Sequence, residues 1–148
     1  MMKRILTAID LNDETNAVIS QAIKITKLFG ASLCIVHCES YDYYQTLGET
    51  DVIPQPEFRE GRLQIIRERL KKVKDLIQQE GIEVKSVLLE GPTAENIISA
   101  AEDFQAELII VGSHKHGKFY NLLIGSTHDA LIKRSKVPVL VIPPLEEK

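Results

Sequence analysis

Apolar residues recur along this chain in two alternating rhythms. Dense, β-branched runs occur at about Lys3 to Asp10, Ser32 to Cys38, Glu83 to Leu89, Leu108 to Val111 and Pro138 to Ile142. Short runs of this kind predict strands buried on both faces. Between them the spacing lengthens to three and four residues. From about Asp13 to Phe29, the positions of Val18, Ala22, Ile25 and Phe29 share one helical face, and Gly30 is the stop. From Glu57 to Glu80, apolar residues at 63, 66, 70, 73 and 77 mark a long amphipathic helix closed by Gly81, with Arg and Lys on its solvent face. Further helices are predicted from Thr93 to Phe104 and from Gly125-Ser126 to Lys133-Arg134.

Five rounds of strand and helix predict an α/β domain over residues 1–148: a single five-stranded parallel sheet, helices on both faces, Rossmann-like, with right-handed crossovers. Sheets of this kind bind ligands at the carboxyl ends of their strands. Asp10, His37-Cys38 and Gly112 stand at those ends. An unpaired carboxylate at a buried strand end is costly, so Asp10 caps a helix in the turn before Asn12-Asp13, meets water or holds a ligand. After Gly112 comes a polar loop, and Gly125-Ser126 then opens a helix whose unpaired N–H groups and dipole attract phosphate. Ser126 also suits a plain N-cap, worth about 1 kcal/mol, and the two roles are compatible.

The spacing from Gly112 to Gly125-Ser126, followed by Val137-Pro138-Val139-Leu140-Val141, resembles the universal stress protein family. That family carries Gly, two residues, Gly, nine residues, Gly, then Ser or Thr, and soon a PVLV-type strand. Arg4-Ile5-Leu6-Thr7-Ala8-Ile9-Asp10 resembles its first strand, Leu33 to Cys38 its second with the usual His37, and Gly91-Pro92-Thr93-Ala94-Glu95-Asn96-Ile97 its turn into the third helix. Only Glu39 to Pro56 lacks a counterpart. The chain departs from the motif at Lys115, which stands where the second glycine belongs, and Gly117 lies two places too late to replace it.

The resemblance implies strand order 3-2-1-4-5, which brings Asp10 beside the Gly112 loop. It also implies an adenine nucleotide, ATP or AMP with Mg²⁺, held by Ala8, Asp10, Cys38, Val111, Gly112, His114, Lys115, Gly125, Ser126 and Thr127. Asp10 would lie at the adenosine pocket, and the backbone of Cys38 would meet the adenine edge. The implied function is a dimeric stress-response regulator or sensor, pairing with a second copy through the final strand, Val137 to Ile142. With no residue standing out as a positioned base, ATP hydrolysis would be slow at most. The alternative is an A-type member that binds no nucleotide and works as an interaction module, since Asp10-Leu11-Asn12 is closer to that pattern than the Asp-Gly-Ser of many nucleotide binders. A hydrolase or transferase on the same sheet is the third reading.

Lys115 pulls two ways. If φ is positive there, its β-carbon costs on the order of 1 kcal/mol, yet an ammonium beside a polyphosphate is favourable. His114 and His116 have HxH spacing with His128 beyond Gly125, a pattern open to a metal, though solvated loop histidines explain it more simply. Tyr41, Tyr43 and Tyr44 in the long connection either cover a ligand or pack that connection onto the domain. Cys34 and Cys38 lie about 13 Å apart along one strand, beyond disulfide reach. Charge narrows the partners: net −3 with 18 basic residues spread along the chain leaves no cationic patch for nucleic acid. Absence of a signal-like segment or a membrane-length apolar run leads to the expectation of a cytoplasmic protein.

Overall fold

Successive side chains of a strand point to opposite faces, and in this chain both sets are apolar, so both faces of the sheet need cover. In the computed structural model, which describes residues 1–11, 15–39, 56–113 and 129–143, helices supply it. The elements run β1 (Arg4–Ala8), α1 (Thr15–Phe29), β2 (Ser32–Glu39), α2 (Pro56–Gln78), β3 (Val84–Glu90), α3 (Thr93–Phe104), β4 (Leu108–Gly112), α4 (Asp129–Arg134) and β5 (Val139–Ile142). All strand pairs are parallel, in the order β3-β2-β1-β4-β5. Order and architecture are those expected.

Ile5, Ile9, Leu33, Ile35, Leu108 and Ile110 face α1 and α2, where they pack with Val18, Ala22, Ile66, Leu70 and Ile77. Leu6, Cys34, Val36, Ile109 and Val111 face the other way and pack with Ile97 and Ala101 of α3 and Leu131 of α4. Thr7, fully buried in the central strand, donates its hydroxyl to the Ile110 carbonyl at 3.1 Å, so its one polar atom is satisfied.

The helix ends follow from backbone conformation. Gly30 and Gly81, at φ 63° and 81°, take the left-handed positions that close α1 and α2 at little cost. The predicted inner face of α2 is borne out, with Leu63, Ile66, Leu70 and Ile77 buried and Val73 packed against them. In α1 the buried stripe is Val18, Ile19, Ala22 and Thr26, while Ile25 and Phe29 sit at its edge. Each step of four residues advances about 40° round the helix, so a buried stripe of 18, 22 and 26 runs obliquely along α1 and leaves 25 and 29 at its edge. The cap region Asn12-Asp13 lies outside the described residues.

Candidate functional site

β1 lies between β2 and β4, so chains leaving the sheet in opposite senses part at its carboxyl end. Pairing continues one residue past the strand, with the Ile9 N–H bonded to the Val36 carbonyl at 2.9 Å. Asp10 and Leu11 then turn away. Leu11 has φ 61°, a left-handed backbone that costs a residue with a β-carbon roughly 1–2 kcal/mol and clusters at functional turns.

Asp10 and Cys38, expected in one site, are within electrostatic reach of each other. Burial and then the Asp10 carboxylate push the Cys38 thiol up from 9.0 to about 11. Its Sγ lies 3.9 Å from the carbonyl of Thr93 at the start of α3. Ala8, Cys38 and Val111 all belong to the α3/α4 side of the sheet. These three are therefore brought together on one face, while Asp10, just past the end of β1, acts on Cys38 electrostatically and also borders the space beside His37 and α2. Cys34 sits deeper in the same cluster, its thiol raised to about 11 by burial and partly lowered by Lys85. Both cysteines are free, as their separation requires.

Gly112 has a role that the motif spacing does not reveal. A β-carbon there would come within 2.7 Å of Val18 Cγ2 on α1, so the missing side chain lets helix and strand approach. Its backbone lies at the carboxyl end of the sheet, with the next amide, Ser113 N–H, bonded to the Ile142 carbonyl at 2.8 Å. His114, Lys115, Gly125, Ser126 and Thr127 lie outside the described residues, as do His116, His128 and the three tyrosines. Among the described residues no group of His, Cys, Asp and Glu is arranged to hold a metal, and no described helix is long and apolar enough to cross a membrane.

On the α1/α2 side stands a polar chain that the sequence reading missed. His37, 7% exposed, points one ring nitrogen at the Ile9 carbonyl, with Nδ1 2.8 Å away, and the other at Glu39, with Nε2 3.0 Å from Oε2. A carbonyl and a carboxylate both accept, so the two bonds are complete when the ring carries both protons. Glu39 is itself buried, and its other oxygen accepts from Arg62 Nε on α2. The result ties the turn before Asp10 to β2 and α2. The sequence pattern puts Glu39 at the start of the variable connection and Arg62 on the solvent face of its helix. The spacing held a signal: residues 37 and 39 share one strand face, so a histidine and a carboxylate there must meet.

The sequence and fold agree with known proteins. Residues 1–143 match the family described as the universal stress protein family. Universal stress protein MJ0531 of Methanocaldococcus jannaschii is 29% identical over 96% of this chain and 82% of its own length. The solved structure of MJ0577 from the same organism superposes with TM-score 0.80 at 23% identity, covering 99% of each chain. A universal stress protein of Archaeoglobus fulgidus, solved in complex with dAMP, gives TM-score 0.65 at 21% identity over 96% of this chain and 98% of that one. With the family's pattern running through all five strands, this chain belongs to the universal stress protein family.

Proposed function

We propose that the chain binds an adenine nucleotide, ATP or AMP, at the carboxyl ends of β1, β2 and β4, and works as a homodimeric stress-response regulator or sensor. The observation that carries this reading is Asp10 at the carboxyl end of β1, where the pairing of Ala8 with Val36 and the Ile9 N–H bond to the Val36 carbonyl bring it out beside the end of β2, next to the β1/β4 point at which the strand order reverses. A carboxylate beside a strand-end backbone suits a nucleoside: the carboxylate accepts from ribose hydroxyls, and peptide groups pair with the adenine edge. The relative solved with dAMP supports adenine nucleotide as the ligand class. In this reading Gly112, His114, Lys115, Gly125, Ser126 and Thr127 serve the phosphates and any Mg²⁺, and hydrolysis is slow at most.

The A-type reading, an interaction module without nucleotide, draws support from Leu11. Its strained left-handed backbone carries a bulky side chain where a glycine would leave the turn open. Melting with and without ligand separates the two readings. ATP, ADP or AMP with Mg²⁺ at one hundred times its dissociation constant should add about 2.7 kcal/mol of stability. For a domain of this size the melting temperature then rises by roughly 5–10 °C. No shift with any of the three at millimolar concentration sinks nucleotide binding and favours the module.

A further inference from the structure

Gly61 sits inside α2, where glycine costs about 1 kcal/mol relative to alanine. Neither packing nor backbone explains it: a β-carbon there would meet nothing within 4 Å, and φ is not positive. The space in front of it is a cavity of about 430 Å³, between the first turns of α2 and the Asp10-Leu11 turn, with His37 at its wall. That volume falls in the range of small-molecule sites. Phe58 and Ile65 flank Gly61 one turn either side, and both are more than half exposed, at 54% and 52%, despite facing the cavity.

The charges along the cavity are graded. Asp10 and Glu57 line it beside the helix start, and Arg62 in the middle is bonded to Glu39. Arg69, at the far end, makes no hydrogen bond or ion pair with a described residue. Glu57 and Arg69 are twelve residues apart on one helix, about 18 Å along its axis. An occupant with one negative end is therefore drawn to Arg69, while a second negative charge would meet the carboxylates. The cavity lies on the α1/α2 side, as His37 and Ile66 do, whereas Ala8, Cys38 and Val111 belong to the opposite side of the sheet.

We propose that this cavity is a second ligand site, which meets the proposed nucleotide site at Asp10 and otherwise lies on the other side of the sheet, for an amphipathic organic monoanion such as a medium-chain or aryl carboxylate. The apolar body lies over Gly61 between Phe58 and Ile65, and the carboxylate pairs with Arg69. The proposal stands whether or not the chain binds nucleotide. Fluorescence titration of the full chain with 8-anilinonaphthalene-1-sulfonate, with octanoate as competitor, tests it. Gly61→Leu fills the space and, leucine being the better helix former, melts no lower than wild type. Arg69→Glu removes the cation from an exposed position. Each should weaken the probe at least about tenfold, the loss expected for a charge-assisted contact or a filled pocket. Lys71→Glu, which makes the same charge change elsewhere on α2, should leave affinity unchanged. Wild-type affinity in Gly61→Leu or Arg69→Glu, equal weakening by Lys71→Glu, failure of octanoate to compete, or displacement of the probe by AMP would each overturn the assignment.

Discussion

A methyl group at residue 112 would have to share space with Val18, since 2.7 Å is closer than two carbon atoms approach. Gly112→Ala should therefore lower stability in urea by roughly 1–3 kcal/mol, the usual cost of overpacking. Adding Val18→Ala to that variant should return part of the loss; an unchanged midpoint for Gly112→Ala would mean that the glycine serves a ligand and not the helix. The thiols make a second test at this scale. Cys34 and Cys38 both titrate near 11 when folded against 9.0 as the ordinary value. Between these values the unfolded chain has lost protons that the folded chain keeps, so stability falls as pH rises from 9 toward 11. Asp10→Asn should lower the Cys38 pKa and speed its alkylation at pH 9, followed by mass spectrometry. An unchanged rate would separate Asp10 from Cys38. The place of Asp10 and Cys38 at the ends of neighbouring strands was legible in the sequence because each closes a short apolar run. The packing duty of Gly112 was not, because it depends on which residue of α1 crosses β4.

Among the elements, α2 was the most legible, since five apolar positions at spacings of three and four leave one solution for its inner face. What the pattern hid is that Arg62, polar and on the flank, turns inward to a buried carboxylate. Periodicity sorts residues by polarity, and an arginine that is half exposed while its partner is buried fits neither class. Removing the buried charge should cost more than removing the exposed one. Glu39→Gln leaves Arg62 and His37 without their anion and should destabilise by about 2–3 kcal/mol. Arg62→Ala, truncating a side chain 55% exposed, should cost about 1 kcal/mol or less. Urea midpoints compare the two, and equal effects would show that Glu39 is held mainly by packing. The strand order was another matter: alternation of strands and helices gives a parallel sheet, but only the family resemblance supplied 3-2-1-4-5.

For the whole molecule, the outer edge of β5 is the surface that bears on assembly. This strand pairs with β4 on one side, and Leu140 and Val141 are each 38% exposed. An apolar edge of this kind invites a second chain, and two copies related by a two-fold axis would join antiparallel. Leu140→Lys with Val141→Lys should give monomers by light scattering while the wild type is a dimer at tens of micromolar; a monomeric wild type ends that proposal. Val139 is the poorer choice for substitution because it packs on the α3/α4 cluster. Nucleotide binding at the Asp10 end of the sheet is tested most directly by calorimetric titration of AMP and ATP into wild type and Asp10→Ala. The prediction is saturable heat at one site per chain for the wild type, with affinity at least about tenfold weaker in Asp10→Ala, as for a lost hydrogen bond to a charged group. Absence of binding by the wild type, or equal affinity in the two proteins, would contradict it.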